Sequence, residues 1–490
     1  MLQSAENNRR GVHAATARAH KSALGQFMTP APTARFLAGL FEPRPGPVRL
    51  LDAGAGLGVL ACAALDRWLD EGLPAMDLAV QAHEIDDRLR AHLETTLAGY
   101  AARGVMAVAI EAGDYLAHAA AALEAGAPGF THALLNPPYK KIGAASPARA
   151  AARRAGLEAV NLYAAFMGLA LAQLKDGGQL AAIVPRSFCS GPYHKPFREF
   201  LLDRAALRKI HLFGSRRQAF KDDGVLQETV MVLLEKGGQQ GDVEVGHATD
   251  DRFEDLVRTV HPFAAIVRPD DPNRFIHVPG PGPSAPSIVD PRFSAALSDL
   301  RLQVSTGPVV DFRARPHLRQ GPELGAVPLI QPQHVAGARA VWPAPASKKP
   351  NAIAAHAETA LALWPAGTYV TVRRLSSKEQ RRRVVACVVQ AKDLGDPPCI
   401  GFENHLNVFH CAKAGLSEDL AWGLFVYLNS TAIDDRLREF SGHTQVNATD
   451  LRHMTYPPQE VLEQWGRWAL GRTQFPQADL DRIVGEGTLP

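Results

Sequence analysis

Val48-Arg49-Leu50-Leu51-Asp52-Ala53-Gly54-Ala55-Gly56-Leu57-Gly58 passes from an apolar run through an acidic residue into a glycine turn. Val59 to Leu69 follows with helical spacing of its apolar residues. That is strand, turn, helix. Glycines let the backbone turn sharply and press against a bound ligand, because no side chain stands in the way. The spacing departs from GxGxxG, and a lone glycine turn is a weak signal, since nicotinamide and flavin enzymes use one too.

The stretches that follow repeat the theme. Leu78 to Ile85 reads as a second strand with Glu84 near its end, and Val105 to Ile110 as a third with Asp114 just beyond it. A carboxylate offers two acceptors at the spacing of a ribose diol, which suits Glu84. Asp114 can accept from an adenine amino group. Three strand ends carrying carboxylates on one rim predict a cofactor cleft at the carboxyl edge of a parallel sheet.

Phe130 to Leu135 reads as a fourth strand running into Asn136-Pro137-Pro138-Tyr139. The two prolines stiffen an extended path, and Pro137 has no N–H. The Asn136 side-chain oxygen and the Pro137 carbonyl are therefore placed to accept both hydrogens of one planar NH2 group. Tyr139 is expected to stack on the ring that carries the amine. Downstream, Asn161-Leu162-Tyr163 opens a helix to about Leu174, with Gly177-Gly178 expected as its C-cap. Strands are expected over Gln179 to Val184, Lys209 to Phe213 and Glu228 to Leu234, the last two antiparallel. Phe220, in the polar loop between them, is a second candidate for base stacking.

The other 490-residue bounds are broad. The chain is 46% hydrophobic and 21% charged, which suits folded domains, two or three by length. Its five cysteines, Cys62, Cys189, Cys387, Cys399 and Cys411, lack the paired spacing of a zinc knuckle or disulfide framework, and no metal site is expected. No signal peptide or membrane span is read, so a cytoplasmic location is expected. Net charge is only +3, so any nucleic-acid footprint must come from local clusters such as Arg373-Arg374 and Arg381-Arg382-Arg383.

These motifs together resemble the amino-methylating DNA methyltransferases that act on adenine N6, in the class whose recognition region follows the catalytic domain. Gly25-Gln26-Phe27-Met28-Thr29-Pro30 matches that family's G-x-[FY]-x-TP segment, Leu51 to Gly58 its glycine motif, and Asn136 to Tyr139 its [DN]PP[YF] motif. The resemblance covers roughly residues 20 to 240. It implies a Rossmann-like α/β class I methyltransferase sheet with helices on both faces, followed by a mixed α+β target recognition domain. It implies S-adenosyl-L-methionine as cofactor, held by Thr29, Asp52, Gly54, Gly56, Glu84, Asp114, Asn136 and Tyr163. Asn136, Pro137, Pro138 and Tyr139 are the expected catalytic residues, with Tyr139 and Phe220 stacking the flipped base. The displacement needs alignment of nitrogen, methyl and sulfur rather than a strongly shifted general base.

Expected domains are an N-terminal extension over 1–20, the catalytic domain over 21–240, a linker over 241–290, the recognition domain over 291–475 and a tail over 476–490. In the recognition half, arginines pair with guanine edges or phosphates and amides with adenine edges, so Arg373, Arg374, His443, Gln445 and Asn447 are the DNA-binding candidates. An amide-rich loop that bonds its own backbone is an equal reading of 443–447. Double-stranded DNA is the expected partner, with a companion restriction endonuclease acting separately and a monomer or dimer left open. Cytosine N4, RNA and a protein glutamine amide stay open as alternative acceptors, as does a non-catalytic DNA-binding subunit.

Overall fold

The computed structural model describes residues 1–15, 28–73, 76–213, 228–280, 292–376, 380–440 and 445–487. The chain divides into two compact units, Met1–Pro286 and Ser287–Pro490.

The first unit is built on nine strands: β1 (Pro47–Ala53), β2 (Met76–Glu84), β3 (Ala107–Ala112), β4 (Phe130–Leu135), β5 (Leu174–Pro185), β6 (Ala205–Phe213), β7 (Thr229–Lys236), β8 (Val243–Ala248) and β9 (Val257–His261). They form one sheet in the order β3-β2-β1-β4-β5-β7-β6-β8-β9. The first five are parallel, and β7 runs antiparallel between β5 and β6. Side chains alternate across a strand, so neighbouring residues feed opposite cores. Leu51, Ala53, Ala133 and Leu135 pack under the helices Tyr115–Glu124, Leu162–Gln173 and Lys195–Arg204. Leu50, Leu134, Ala181 and Ile183 pack under Leu2–Ala15, Ala31–Gly39, Val59–Asp70 and Asp87–Ala101. The chain direction reverses its order of addition between β1 and β4, which opens a crevice above their carboxyl ends.

Three local expectations change. Gly177-Gly178 does not cap a helix. The Leu162–Gln173 helix ends directly in extended Leu174, and residues 174–178 belong to β5. Register there advances from Phe130↔Leu174 to His132↔Gln179, so the strand bulges, and Gly177 takes φ +77 within that bulge. Of the expected extension, residues 1–15 are packed on the domain: the Leu2–Ala15 helix buries Leu2 and Ala5 in the core, and Asp66 accepts from the Leu2 N–H at 2.9 Å. Residues 241–280, expected as linker, extend the sheet as β8 and β9. Ile266, Val267, Ile276 and Val278 are buried in the same core, and Phe253 stacks on Phe36 with centroids 3.9 Å apart.

The second unit is mixed α+β. Its strands are β10 (Gln303–Thr306), β11 (Leu318–Arg319), β12 (Ala326–Ile330), β13 (Ala352–Ala354), β14 (Leu363–Pro365), β15 (Thr368–Arg373), β16 (Ala386–Gln390), β17 (Cys399–Phe402) and β18 (Leu406–His410). A four-stranded sheet, β10-β18-β15-β16, lies between helices on one face and a five-stranded sheet, β11-β13-β12-β17-β14, on the other. The alternation along β15 explains this: Val370 and Val372 face the helix core, while Tyr369 faces Ile400 and Phe402. The helices Glu418–Leu428 and Gln459–Ala469 meet backbone to backbone at Gly423 and Gly466. A Cβ on Gly466 would lie 1.7 Å from the Asp419 carbonyl oxygen, and one on Gly423 would lie 1.9 Å from that of Leu462. The expected tail is also structured. Gln477–Glu486 is a helix that buries Leu480, Ile483 and Val484 in this core.

Candidate active site

One cavity opens at the carboxyl ends of β1, β2, β3 and β4, and its wall includes Thr29, Gly54, Gly56, Glu84, Asp114 and Asn136. Six of the eight cofactor candidates therefore share one site.

The glycine turn fixes the position of Glu84. Gly56 sits at φ +58, a backbone region open to glycine at little cost, and its N–H donates to Glu84 Oε2 at 2.8 Å. Asp86 N–H donates to the other oxygen at 2.8 Å. Both oxygens are thus held by backbone N–H groups, which fixes the plane of the carboxylate. Burial pushes the Glu84 carboxyl above the usual carboxylate range, against the pull of these N–H groups. Asp114 caps the Tyr115–Glu124 helix by accepting from Leu116 N–H at 3.0 Å through Oδ1. The apolar wall comes from Ile85, Tyr115, Leu116 and Phe166. His83 also borders the cavity. Burial lowers it to about 4, so it is a neutral imidazole at physiological pH.

Asn136 follows β4 directly. Its Nδ2 donates to Thr29 Oγ1 at 2.9 Å, and its Oδ1 lies 3.1 Å from the Tyr139 hydroxyl, which is also 3.2 Å from the Ile183 carbonyl. The hydroxyl's single hydrogen is shared between those two acceptors. Nδ2 on Thr29 and Oδ1 on Tyr139 together fix the plane of the Asn136 amide. Pro138 lines the cavity beside it, and Pro137 is buried. The fit for S-adenosylmethionine rests on this donor set: a fixed carboxylate for a diol, Asp114 for an amine, and an apolar wall for a ring.

Two cofactor candidates lie elsewhere. Asp52 is fully buried behind the glycine turn, where Oδ2 accepts from Ala61 N–H at 3.1 Å. It steadies the turn from behind and does not line the cavity. Burial, with Glu84 adding to it, pushes Asp52 up to about 7. Tyr163 meets Tyr139 edge-on at 6.3 Å and lies 3.4 Å from the Ser187 hydroxyl. Tyr139 itself is half-buried against the core. Phe220, Gly25, Gln26 and Phe27 lie outside the described residues.

The sequence reading missed Arg9. It comes from the Leu2–Ala15 helix, is buried and borders the cavity. The signal was present as Glu6, Arg9 and Arg10, spaced to pair on one helix face.

Comparison with known proteins identifies the family. The chain is 44% identical to type II methyltransferase M.BsuBI of Bacillus subtilis over 95% of its own length and 94% of that protein's. It is 39% identical to type II methyltransferase M.PstI of Providencia stuartii over 95% and 93%. The chain belongs to the type II methyltransferases. The Eco57I restriction-modification methylase family model matches residues 106–220, which include β3, β4 and the Asn136 turn. The methyltransferase also has the fold of the type IIL restriction-modification enzyme MmeI, with a TM-score of 0.51 at 11% identity over 100% of this chain and 71% of that one. Its likeness to DrdV has the same TM-score at 12% identity over 96% and 60%. The methyltransferase is S-adenosylmethionine-dependent and site-specific, of the class that methylates adenine in DNA.

The DNA-binding candidates sit in the second unit of the methyltransferase. Arg373 ends β15, and Arg374 follows it with its NH1 donating to the Asn404 carbonyl at 3.2 Å. Gln445 bridges to Leu375, which brings 445–447 beside these arginines. The Asn447 side chain caps the Ala448–Arg452 helix in a reciprocal box with Asp450, so its amide serves its own backbone. His443 lies outside the described residues. In the run 381–383 only Arg381 is exposed. Arg383 is buried with its N–H on Asp434 at 2.6 Å, and Arg382 donates to the Ser430 carbonyl at 2.7 Å. That cluster holds the fold together more than it faces a ligand. Among the described residues, no helix is long and apolar enough to cross a membrane.

Proposed function

We propose that the Asn136 turn is the methyl-transfer site, and that Asn136 Oδ1 and the Pro137 carbonyl accept the two hydrogens of the adenine N6 amine. The observation that carries this reading is the anchoring of Asn136 by Thr29 and Tyr139 in the wall of the cavity that holds Glu84 and Asp114. When bound, S-adenosylmethionine supplies an electrophilic methyl group on a sulfonium. The chain's residues orient and exclude. Glu84 accepts the ribose hydroxyls, and Asp114 accepts from the cofactor's adenine amine. Two acceptors on the target nitrogen hold its lone pair toward the methyl group, and rigid placement replaces an encounter in solution. The surplus proton leaves the nitrogen after transfer. Tyr139 stacks on the flipped base, and Arg373, Arg374 and Gln445 contribute to target reading.

A companion endonuclease that cuts the same sequence when unmethylated completes the proposal, since both relatives carry type II in their names. The test is incubation with isotopically labelled S-adenosylmethionine and unmethylated DNA, followed by nucleoside mass analysis. N6-methyladenine made by the wild type and reduced on the order of 100-fold in Asn136→Ala is the expected result. Label on cytosine, or an Asn136→Ala variant as active as the wild type, would refute the assignment.

A further inference from the structure

An exposed phenylalanine is ordinary when it stands alone and informative when unpaired charge stands beside it. The short helix Asp311–Ala314 in the second unit is of the second kind. Phe312 is 76% exposed, while Ala314 packs against the small core of Val309, Val327, Leu329 and Ile353. This turn fills the core with its alanine and leaves its largest apolar side chain in water.

The neighbours of Phe312 are cationic. The Arg313 guanidinium lies over its ring at 5.4 Å, Arg315 follows, and both arginines are exposed. Among the described residues, neither has a carboxylate within ion-pair distance. The carboxylates nearby are engaged elsewhere. Asp311 buries one of its oxygens and its charge acts on Glu403, Glu358 lies 3.6 Å from His317, and Glu323 takes Arg319 at 2.6 Å.

The turn is also pre-set. Pro316 fixes the backbone after Arg315, and Arg319 donates to the carbonyls of Pro316 and Leu318 at 3.0 and 2.9 Å. Upstream, the Asn404 N–H donates to the Val309 carbonyl at 2.8 Å, and the Asn404 carbonyl accepts from Arg374. The turn thus begins beside the loop that Arg374 grips. Two cations without carboxylate partners flanking an exposed ring match a polyanion that also offers apolar sugar and base faces. Duplex DNA has that chemistry.

We infer that the Asp311–Ala314 turn is a DNA contact of the methyltransferase, with Arg313 and Arg315 on backbone phosphates and Phe312 packed against the sugar or base beside them. The inference rests on reading the second unit as the one that recognises the target. It divides the work by residue type: the arginines supply salt-dependent affinity, and the ring supplies affinity that salt does not screen.

The experiment measures binding of the full chain to a fluorescent duplex carrying a site that the wild type methylates, by anisotropy between 50 and 200 mM salt, conditions of about the range over which phosphate contacts show. The Arg313→Gln, Arg315→Gln double variant is expected to flatten the slope of log affinity against log salt by about 1–2, since each lost phosphate contact removes about 0.9. Phe312→Ala is expected to bind about 10-fold more weakly with the slope unchanged. Replacing both arginines by lysine keeps the charge and restores the slope, and it reads the proposal if the Gln variant does not fold. Wild-type affinity and slope in the Gln variant, or a Phe312→Ala variant that binds as the wild type does, would overturn the proposal. Arg374→Gln run alongside keeps the two readings apart: weakened binding there with none in the turn variants overturns this contact and leaves target recognition in the second unit standing, whereas wild-type binding in all of them overturns both.

Discussion

Asn136 donates to Thr29 across 107 residues of sequence, so its amide is oriented by a hydroxyl that precedes the first strand of the sheet. Thr29→Val removes that hydroxyl at nearly constant volume. It removes the 2.9 Å acceptor of a half-buried Nδ2, a loss of about 0.5–1.5 kcal/mol for one hydrogen bond. We expect kcat to fall about 10-fold as the amide loses its orientation. Thr29→Ser restores most of the rate. Steady-state kinetics on a duplex substrate decide it: a Val variant as fast as the wild type would show that Thr29 does not orient the amide.

Tyr139→Phe keeps the ring and deletes the hydroxyl between Asn136 Oδ1 and the Ile183 carbonyl. Because Tyr139 is not part of the cofactor wall, cofactor affinity is expected to hold while kcat drops about 10-fold. Parallel calorimetry and turnover measurements separate the two. Weakened cofactor binding with normal turnover would contradict this division of labour.

Asp52 gives the fold a pH dependence of known sign. Its folded value, about 7, lies above its unfolded value, so the native chain keeps a proton that the unfolded chain releases between pH 4 and 7. Its contribution to stability is therefore full below that window and lost as pH rises through it, at up to about 1.4 kcal/mol per pH unit. Asp52→Asn can still accept from Ala61 N–H and removes the titration. Melting temperatures from pH 5 to 8 should show the Asn variant gaining on the wild type as pH rises. A constant difference would mean that Asp52 does not titrate in this range.

Gly466→Ala drives a methyl group into the Asp419 carbonyl and forces two packed helices apart. We expect a loss of about 3 kcal/mol or more in the second unit, the upper part of the overpacking range. Gly485→Ala is the control, since a Cβ there meets nothing within 4 Å on an exposed helix face. It should be neutral or stabilise by about 0.5–1 kcal/mol. Thermal melts of both variants would falsify the argument if they matched.

The parts of the site legible in the sequence are those where one short stretch does the whole job. Gly54, Gly56 and Glu84 announce themselves because a strand end, a turn and a carboxylate are neighbours in sequence or one helix apart. Asn136-Pro137-Pro138 is legible because two prolines fix its path without help from the rest of the fold. Asp52 and Tyr163 fall outside the cavity wall, since the direction a side chain takes depends on packing that a short stretch does not encode. Arg9 was hidden in a polar helix that, among the residues whose burial is described, buries Leu2, Ala5, Glu6 and Arg9. Strand β9 was hidden because a sheet extension needs only a partner edge, not a strong pattern of its own. Asn447 had the right chemistry for a base edge, but its own helix uses it first.

The glycine crossing at 423 and 466 bears on how the second unit can change over time. Each glycine meets a carbonyl of the opposite helix, not a side chain, so no compensating substitution on the other helix makes room for a larger residue. The helix pair therefore offers drift no intermediate steps: a larger residue at either glycine must displace backbone, and the crossing changes as a whole or not at all.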